Sequence, residues 1–94
     1  MIKDREVAMV NAANAALEYK SKHPRCFDDD AVAYVLKTLD SKPKLKIYGI
    51  AAANEILNLR KDAANNNLTD KQLIQIFVDN IFAIVAKIEE DIKS

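Results

Sequence analysis

The chain has 94 residues, of which 50% are hydrophobic and 30% are charged, a balance typical of one folded domain covering residues 1–94. Its 14 basic and 14 acidic side chains argue against a surface that is basic overall, as many nucleic-acid-binding domains have. The only cysteine, Cys26, excludes an intrachain disulfide and a multi-cysteine metal site.

Apolar residues recur at helical spacing through four segments, and no segment has the alternating pattern of a β-strand. Proline and asparagine separate these segments, because proline disfavours a helical residue before it and asparagine tolerates helix-ending conformations. Short links favour antiparallel neighbours. The sequence therefore predicts an all-α fold, a small antiparallel four-helix bundle. Its predicted helices cover residues 4–22, 29–39, 43–64 and 70–92.

The second predicted helix has a well-marked start. Asp28 is predicted as its N-cap, since a side-chain oxygen at that position accepts a hydrogen bond from the first helical turn. Phe27 before the cap and Val32 in the helix are expected to pack together as a hydrophobic staple.

The third predicted helix carries small residues on the side that should face a neighbour. Its stripe runs from Leu45 in steps of four and three residues through Gly49, Ala52 and Ile56, the spacing of helices packed at a shallow angle. Because Gly49 and Ala52 are small, a neighbouring helix is expected to approach closely there.

Two segments forty residues apart resemble each other, residues 10–17 and residues 50–57. A duplicated helical hairpin would give this similarity. Any two alanine-rich amphipathic helices also align this well, and two repeats are fewer than a solenoid normally needs, so chance similarity is the preferred explanation.

The last predicted helix begins at a capping box, in which Thr69 caps the helix and Gln72 reaches back. From Leu73 to Ile88, twelve of sixteen residues are apolar, whereas a helix at the rim of a small bundle needs an apolar stripe only somewhat wider than about 100°. The last helix therefore has more apolar residues than one buried side requires.

Winding that helix at 100° per residue places Phe82 and Ala86 on its polar side, with Val78 at the edge. An aromatic residue on a solvent-facing side is typical of a protein interface. We therefore predict that Val78, Phe82 and Ala86 form a protein-binding surface, with Tyr34 of the second helix as a further candidate. The alternative is that the last helix lies at the centre of the bundle and is covered on all sides.

The densest basic stretch of the chain surrounds the link between the second and third helices. It could form a patch for the phosphates of nucleic acid or of a membrane surface. The alternative is an ordinary solvated helix start. The residues of this possible basic patch are Lys37, Lys42, Lys44 and Lys46.

No arrangement in the sequence indicates catalysis or a cofactor. His23 and Cys26 share one short link without a third group to orient them, as nucleophilic catalysis would require. The run Asp28–Asp30 lacks the spaced oxygen ligands and the glycine of a cation-binding loop. We therefore predict a protein that is not an enzyme and has no cofactor or metal ion.

The first ten residues carry charges where a secretory signal peptide needs an apolar run. No stretch reaches the roughly 20 predominantly apolar residues of a transmembrane helix. A soluble, cytoplasmic protein is therefore expected.

These observations predict a protein-interaction module that self-associates or binds a protein partner through its last helix. Two alternatives stay open. The segment Leu-Thr-Asp-Lys-Gln-Leu-Ile at residues 68–74, preceded by an amphipathic helix, is loosely similar to bacteriocin immunity proteins. That resemblance implies a small cytoplasmic helical bundle that protects a producer cell. The other alternative is a small nucleic-acid or membrane-surface binder that uses the lysines around residues 37–46.

Overall fold

The computed structural model describes residues 4–39, 43–62 and 67–93, and its regular structure there is entirely helical. The predicted all-α class is thus confirmed. A 3-10 turn, Pro43–Leu45, precedes the third α-helix. Within these residues the five α-helices are α1 (Asp4–Lys22), α2 (Asp28–Thr38), α3 (Lys46–Lys61), α4 (Asp70–Asp79) and α5 (Ile81–Lys93).

The predicted count of four helices is not confirmed, because the segment predicted as one helix over residues 70–92 is divided at Asn80. The Asn80 side-chain amide donates to the carbonyl oxygen of Ile76 (2.9 Å), and its backbone N–H donates to that of Phe77 (3.1 Å). The Asn80 carbonyl in turn accepts from the N–H of Ile84 (3.1 Å). Asn80 therefore ends α4 and also supplies the first acceptor of α5.

The other helix bounds lie close to the predicted ones. The third predicted helix starts as the 3-10 turn at Pro43, becomes α-helical at Lys46 and ends at Lys61. Residues 63 and 64, also predicted helical, lie outside the described residues. The capping box before α4 is confirmed: the Thr69 hydroxyl accepts from the N–H of Gln72 (3.2 Å), whose side chain accepts from the N–H of Thr69 (2.9 Å).

The predicted start of α2 is wrong in two respects. The helix begins at Asp28 itself, and the N-cap position is held by Phe27, whose N–H donates to the carboxylate of Asp30 (3.1 Å). Phe27 is 79% exposed, so its ring does not form the expected staple with Val32. The carboxylate of Asp28 pairs with lysines of other helices instead of capping α2.

The most extensive contact between helices joins α1 and α3. A methyl group added at Gly49 would lie in van der Waals contact with the Cβ of Ala12, at 3.8 Å, and would overlap Cδ1 of Leu39. Gly49 thus faces α1 and leaves room for the Leu39 side chain. The small buried residues of the two helices are Ala8, Ala12, Ala13, Ala16, Gly49, Ala52 and Ala53. They allow the two helices to form the centre of the fold.

Ion pairs show how the helices run. Lys20, near the end of α1, and Lys61, at the end of α3, both contact Asp28 at the start of α2. The carboxyl ends of α1 and α3 thus lie together, so these two helices are parallel and α2 is antiparallel to both. In a square up-and-down bundle the first and third helices would instead be diagonal neighbours.

The remaining helices cover the central α1–α3 pair. Both α2 and α4 pack against α1 and against α3, and we infer that they occupy the two opposite sides of the pair. Asp70 at the start of α4 lies in one cleft with Ser21 near the end of α1, so α4 runs antiparallel to α1. The largest fully buried side chains, contributed by four helices, are Phe77, Met9, Ile56, Leu73 and Val35.

Candidate interaction surface

The helix α5 is buried on one side only. Ile81, Val85 and Ile88 form its inner stripe and belong to the hydrophobic core. This stripe follows the i, i+4, i+7 spacing of a helix packed at the rim of a fold. Ile84 beside this stripe is half-buried, whereas Phe82, Ala83 and Ala86 on the other side of α5 are exposed.

An exposed apolar strip begins at Val78 in the last turn of α4 and continues along α5 with Phe82, Ala83 and Ala86. These four residues are here called the α5 outer face. All four residues are exposed, and Phe82 retains 74% of its possible surface. The break at Asn80 does not bury any of them. The structure therefore places the predicted residues Val78, Phe82 and Ala86 together on the surface, and the alternative of a fully covered last helix does not describe this fold.

Charged and polar side chains border the α5 outer face. Asp79 and Lys87 are exposed beside it, and Asp79 accepts a hydrogen bond from the side chain of Gln75 (2.9 Å). An apolar centre with a polar border is the usual composition of a protein interface.

Tyr34 does not join this surface. It lies on α2, whose described residues have no extensive contact with α5, and its ring stacks on that of Tyr19 with 5.1 Å between the ring centroids. The Tyr19 ring also contacts His23 at a centroid distance of 4.5 Å. Tyr34 is thus part of an aromatic cluster that joins α1 to α2.

The predicted basic patch is only partly described. Lys37 on α2 and Lys44 in the 3-10 turn are exposed, whereas Lys46 is half-buried at the start of α3. Lys42 lies outside the described residues. The structure therefore shows two exposed lysines from this group, on different elements.

A cleft that the sequence did not indicate lies between α1, the end of α2 and the 3-10 turn. Its volume is about 820 Å³. The buried residues Ala8, Ala12 and Leu39 form its floor, and exposed Val7 lies on its border. We call this feature the α1 cleft. Three separate segments build it, so no local pattern in the sequence could have revealed it.

Asp28 forms ion pairs with lysines from two other helices. Lys61 and Lys20 both pair with its carboxylate, the latter at 3.2 Å, and Lys20 also donates to the carbonyl oxygen of Cys26 (3.0 Å). The hydrogen bond from Lys61, aided by Lys20, holds the pKa of Asp28 below its ordinary value, although burial opposes the shift. These contacts tie three helices together, which is a structural role.

The sequence did not predict that Glu6 is buried or that Arg5 beside it pairs with the last helix. Glu6 in the first turns of α1 is only 4% exposed, and its Oε2 accepts no hydrogen bond from the residues that the structure describes. Its Oε1 lies 3.8 Å from Nε of Arg5, whose guanidinium also pairs with Glu89 of α5. Arg5 thus links the start of α1 to the end of α5.

Across residues 4–39, 43–62 and 67–93, no group of three or more His, Cys, Asp or Glu side chains could hold a metal ion. No described helix is long and apolar enough to span a membrane.

Comparisons with protein-family models, with curated proteins and with solved structures find no match to this chain. The similarity to bacteriocin immunity proteins stays a prediction from the sequence, and the function has to be argued from the surface itself.

Proposed function

We propose that this protein is a non-enzymatic interaction module that binds a protein partner, another copy of itself included, through the α5 outer face. The observation that carries the proposal is the exposure of Phe82 beside Ala83 and Ala86 on α5, a helix whose other side is packed against the core, with exposed Val78 of α4 next to them in the strip. Burying a phenylalanine side chain fully is worth about 1.5–3 kcal/mol, so Phe82 is the natural anchor of such a contact.

The size of the strip sets the expected affinity. Stable complexes typically bury about 800 Å² on each partner, which four side chains do not supply. The proposed contact is therefore either a weak one or part of a larger interface in which the neighbouring polar residues take part.

Site-specific photocrosslinking tests this proposal, because the chain offers a matched control. Benzoylphenylalanine replaces Phe82 in one variant and Phe27 in the other, and the two native rings are similarly exposed on different surfaces. In the cells that make the protein, we expect position 82 to give an adduct of one defined mass that position 27 does not give. Adding Ala86→Asp to the position-82 variant should abolish that adduct.

Two results would contradict the proposal. One is the absence of any adduct at position 82. The other is an adduct that survives Ala86→Asp or forms equally from position 27, since neither would depend on the α5 outer face.

A further inference from the structure

We propose that the partner of the α5 outer face is the α1 cleft of a second copy of this chain. Resting on the proposed function, this inference adds the identity of the partner and the surface that it uses. The resulting contact is head to tail, because the two copies contribute different surfaces.

The two surfaces have complementary shapes. Phe82 projects from α5, whereas the α1 cleft is concave and has an apolar floor that includes Ala8, Ala12 and Leu39. At about 820 Å³ the α1 cleft has room for the Phe82 ring together with a neighbouring side chain such as Ala86. Val7, which is 45% exposed at the border, would have its apolar side chain shielded from solvent on docking.

The charged residues at the two borders are also complementary. Lys44 and Asp4 line the α1 cleft, and both are exposed. Asp79 and Lys87 border the α5 outer face. Docking can therefore pair Asp79 with Lys44 and Lys87 with Asp4, which would fix the orientation of the two copies more than it would add affinity.

Two copies cannot form a symmetric dimer in which each places its α5 outer face in the α1 cleft of the other, because the two surfaces do not lie side by side on one molecule. On α1, Arg5 points to α5 through its pair with Glu89, whereas Asp4 and Val7 line the α1 cleft, which also borders α2. From these contacts we infer that the two surfaces lie on different sides of the molecule. A contact between unlike surfaces leaves one of each free, so association continues into chains unless the geometry closes a ring.

Mixing two complementary variants tests this arrangement. Phe82→Asp disables the α5 outer face and leaves the α1 cleft, while Val7→Asp disables the α1 cleft and leaves the α5 outer face. By sedimentation velocity, we expect wild type to associate with rising concentration and each variant alone to associate at least about tenfold more weakly. The equimolar mixture should form a one-to-one complex, since one intact surface of each kind remains.

Phe27→Asp serves as the control and should associate like wild type, because Phe27 lies on neither surface. Circular dichroism of each variant checks folding, and Lys44→Glu provides a second change in the α1 cleft that should also weaken association. A wild type that stays monomeric at millimolar concentration would overturn the inference. So would a mixture that stays monomeric although wild type associates; the α5 outer face would then pair with itself or with another protein, and the proposed function would stand.

Discussion

The α1–α3 contact and the helix α5 differ in which apolar side chains are buried. In the α1–α3 contact, alanines such as Ala13 and Ala52 are fully buried although they offer little apolar surface. In α5, the much larger Phe82 lies on the surface. Small side chains are thus buried where α1 and α3 pack together, whereas the Phe82 ring is exposed on the side of α5 that faces away from the core.

This difference assigns separate roles to the two regions. Small residues let α1 and α3 approach closely, so dispersion contacts between their backbones replace large side chains. The helix α5 is packed on its inner stripe alone, and its outer residues add nothing to the core. Changes in the first region should alter stability, and changes in the second should alter association.

The largest expected contrast is between two phenylalanines five positions apart. Phe77 is fully buried, so Phe77→Ala should destabilise the fold by about 3–5 kcal/mol through lost burial and the cavity left behind. Phe82→Ala should change stability by no more than about 0.5 kcal/mol. Urea unfolding measured well below the concentration of any association would test both. Similar losses for the two variants would show that the Phe82 ring is covered within the monomer.

A second contrast compares the effect of a larger side chain at a buried position and at an exposed one. Ala52→Leu forces a larger side chain into the α1–α3 contact and should cost about 1–3 kcal/mol, or more if the helices cannot separate. Ala86→Leu makes the same change on the exposed side of α5 and should be nearly neutral. Thermal unfolding monitored by circular dichroism measures both variants. An unchanged melting temperature for Ala52→Leu would mean that the two central helices are less closely packed than described.

The smallest expected effect concerns Asp28 and depends on pH. Since its pKa is lowered in the folded state, the ion pairs of Asp28 stabilise the fold above its ordinary pKa of about 3.9 and lose that effect as the pH falls through the lower folded value. Asp28→Asn should therefore cost about 1 kcal/mol at neutral pH and progressively less below about pH 4.

Asp29→Asn is the control for this measurement, because Asp29 is exposed in the same helical turn. It should show a smaller cost than Asp28→Asn at neutral pH. If chemical denaturation gives equal costs and equal pH dependence for both variants, the effect comes from the charge at the helix start and not from the contacts with Lys20 and Lys61.

The sequence predicted many features that depend on geometry within one helix, although the N-cap of α2 and the break at Asn80 were missed. The capping box at Thr69 and most helix bounds follow from local backbone chemistry. The exposure of Val78, Phe82 and Ala86 follows from winding at 100° per residue, and that spacing was largely preserved although the helix is divided at Asn80.

Features that depend on contacts between distant segments could not be predicted in this way. The pairing of Asp28 with Lys61 requires that the ends of α1 and α3 meet, and that arrangement is set by the packing of whole helices. The separation of Tyr34 from the α5 outer face has the same origin, because α2 and α5 have no extensive contact with each other within the described parts of the chain. The similar segments 10–17 and 50–57 lie in α1 and α3, the two parallel central helices. The sequence alone did not show that these two helices pack against each other.

The parallel course of α1 and α3 has an electrostatic consequence. Each helix has a dipole with partial negative charge at its carboxyl end, and parallel neighbours bring two such ends together, where they repel. The last turns of the two helices carry Lys20, Lys22, Arg60 and Lys61. These cations, together with the positive amino end of α2 close by, offset that repulsion. Removing their charges should separate the carboxyl ends of the two central helices before it affects any other part of the fold.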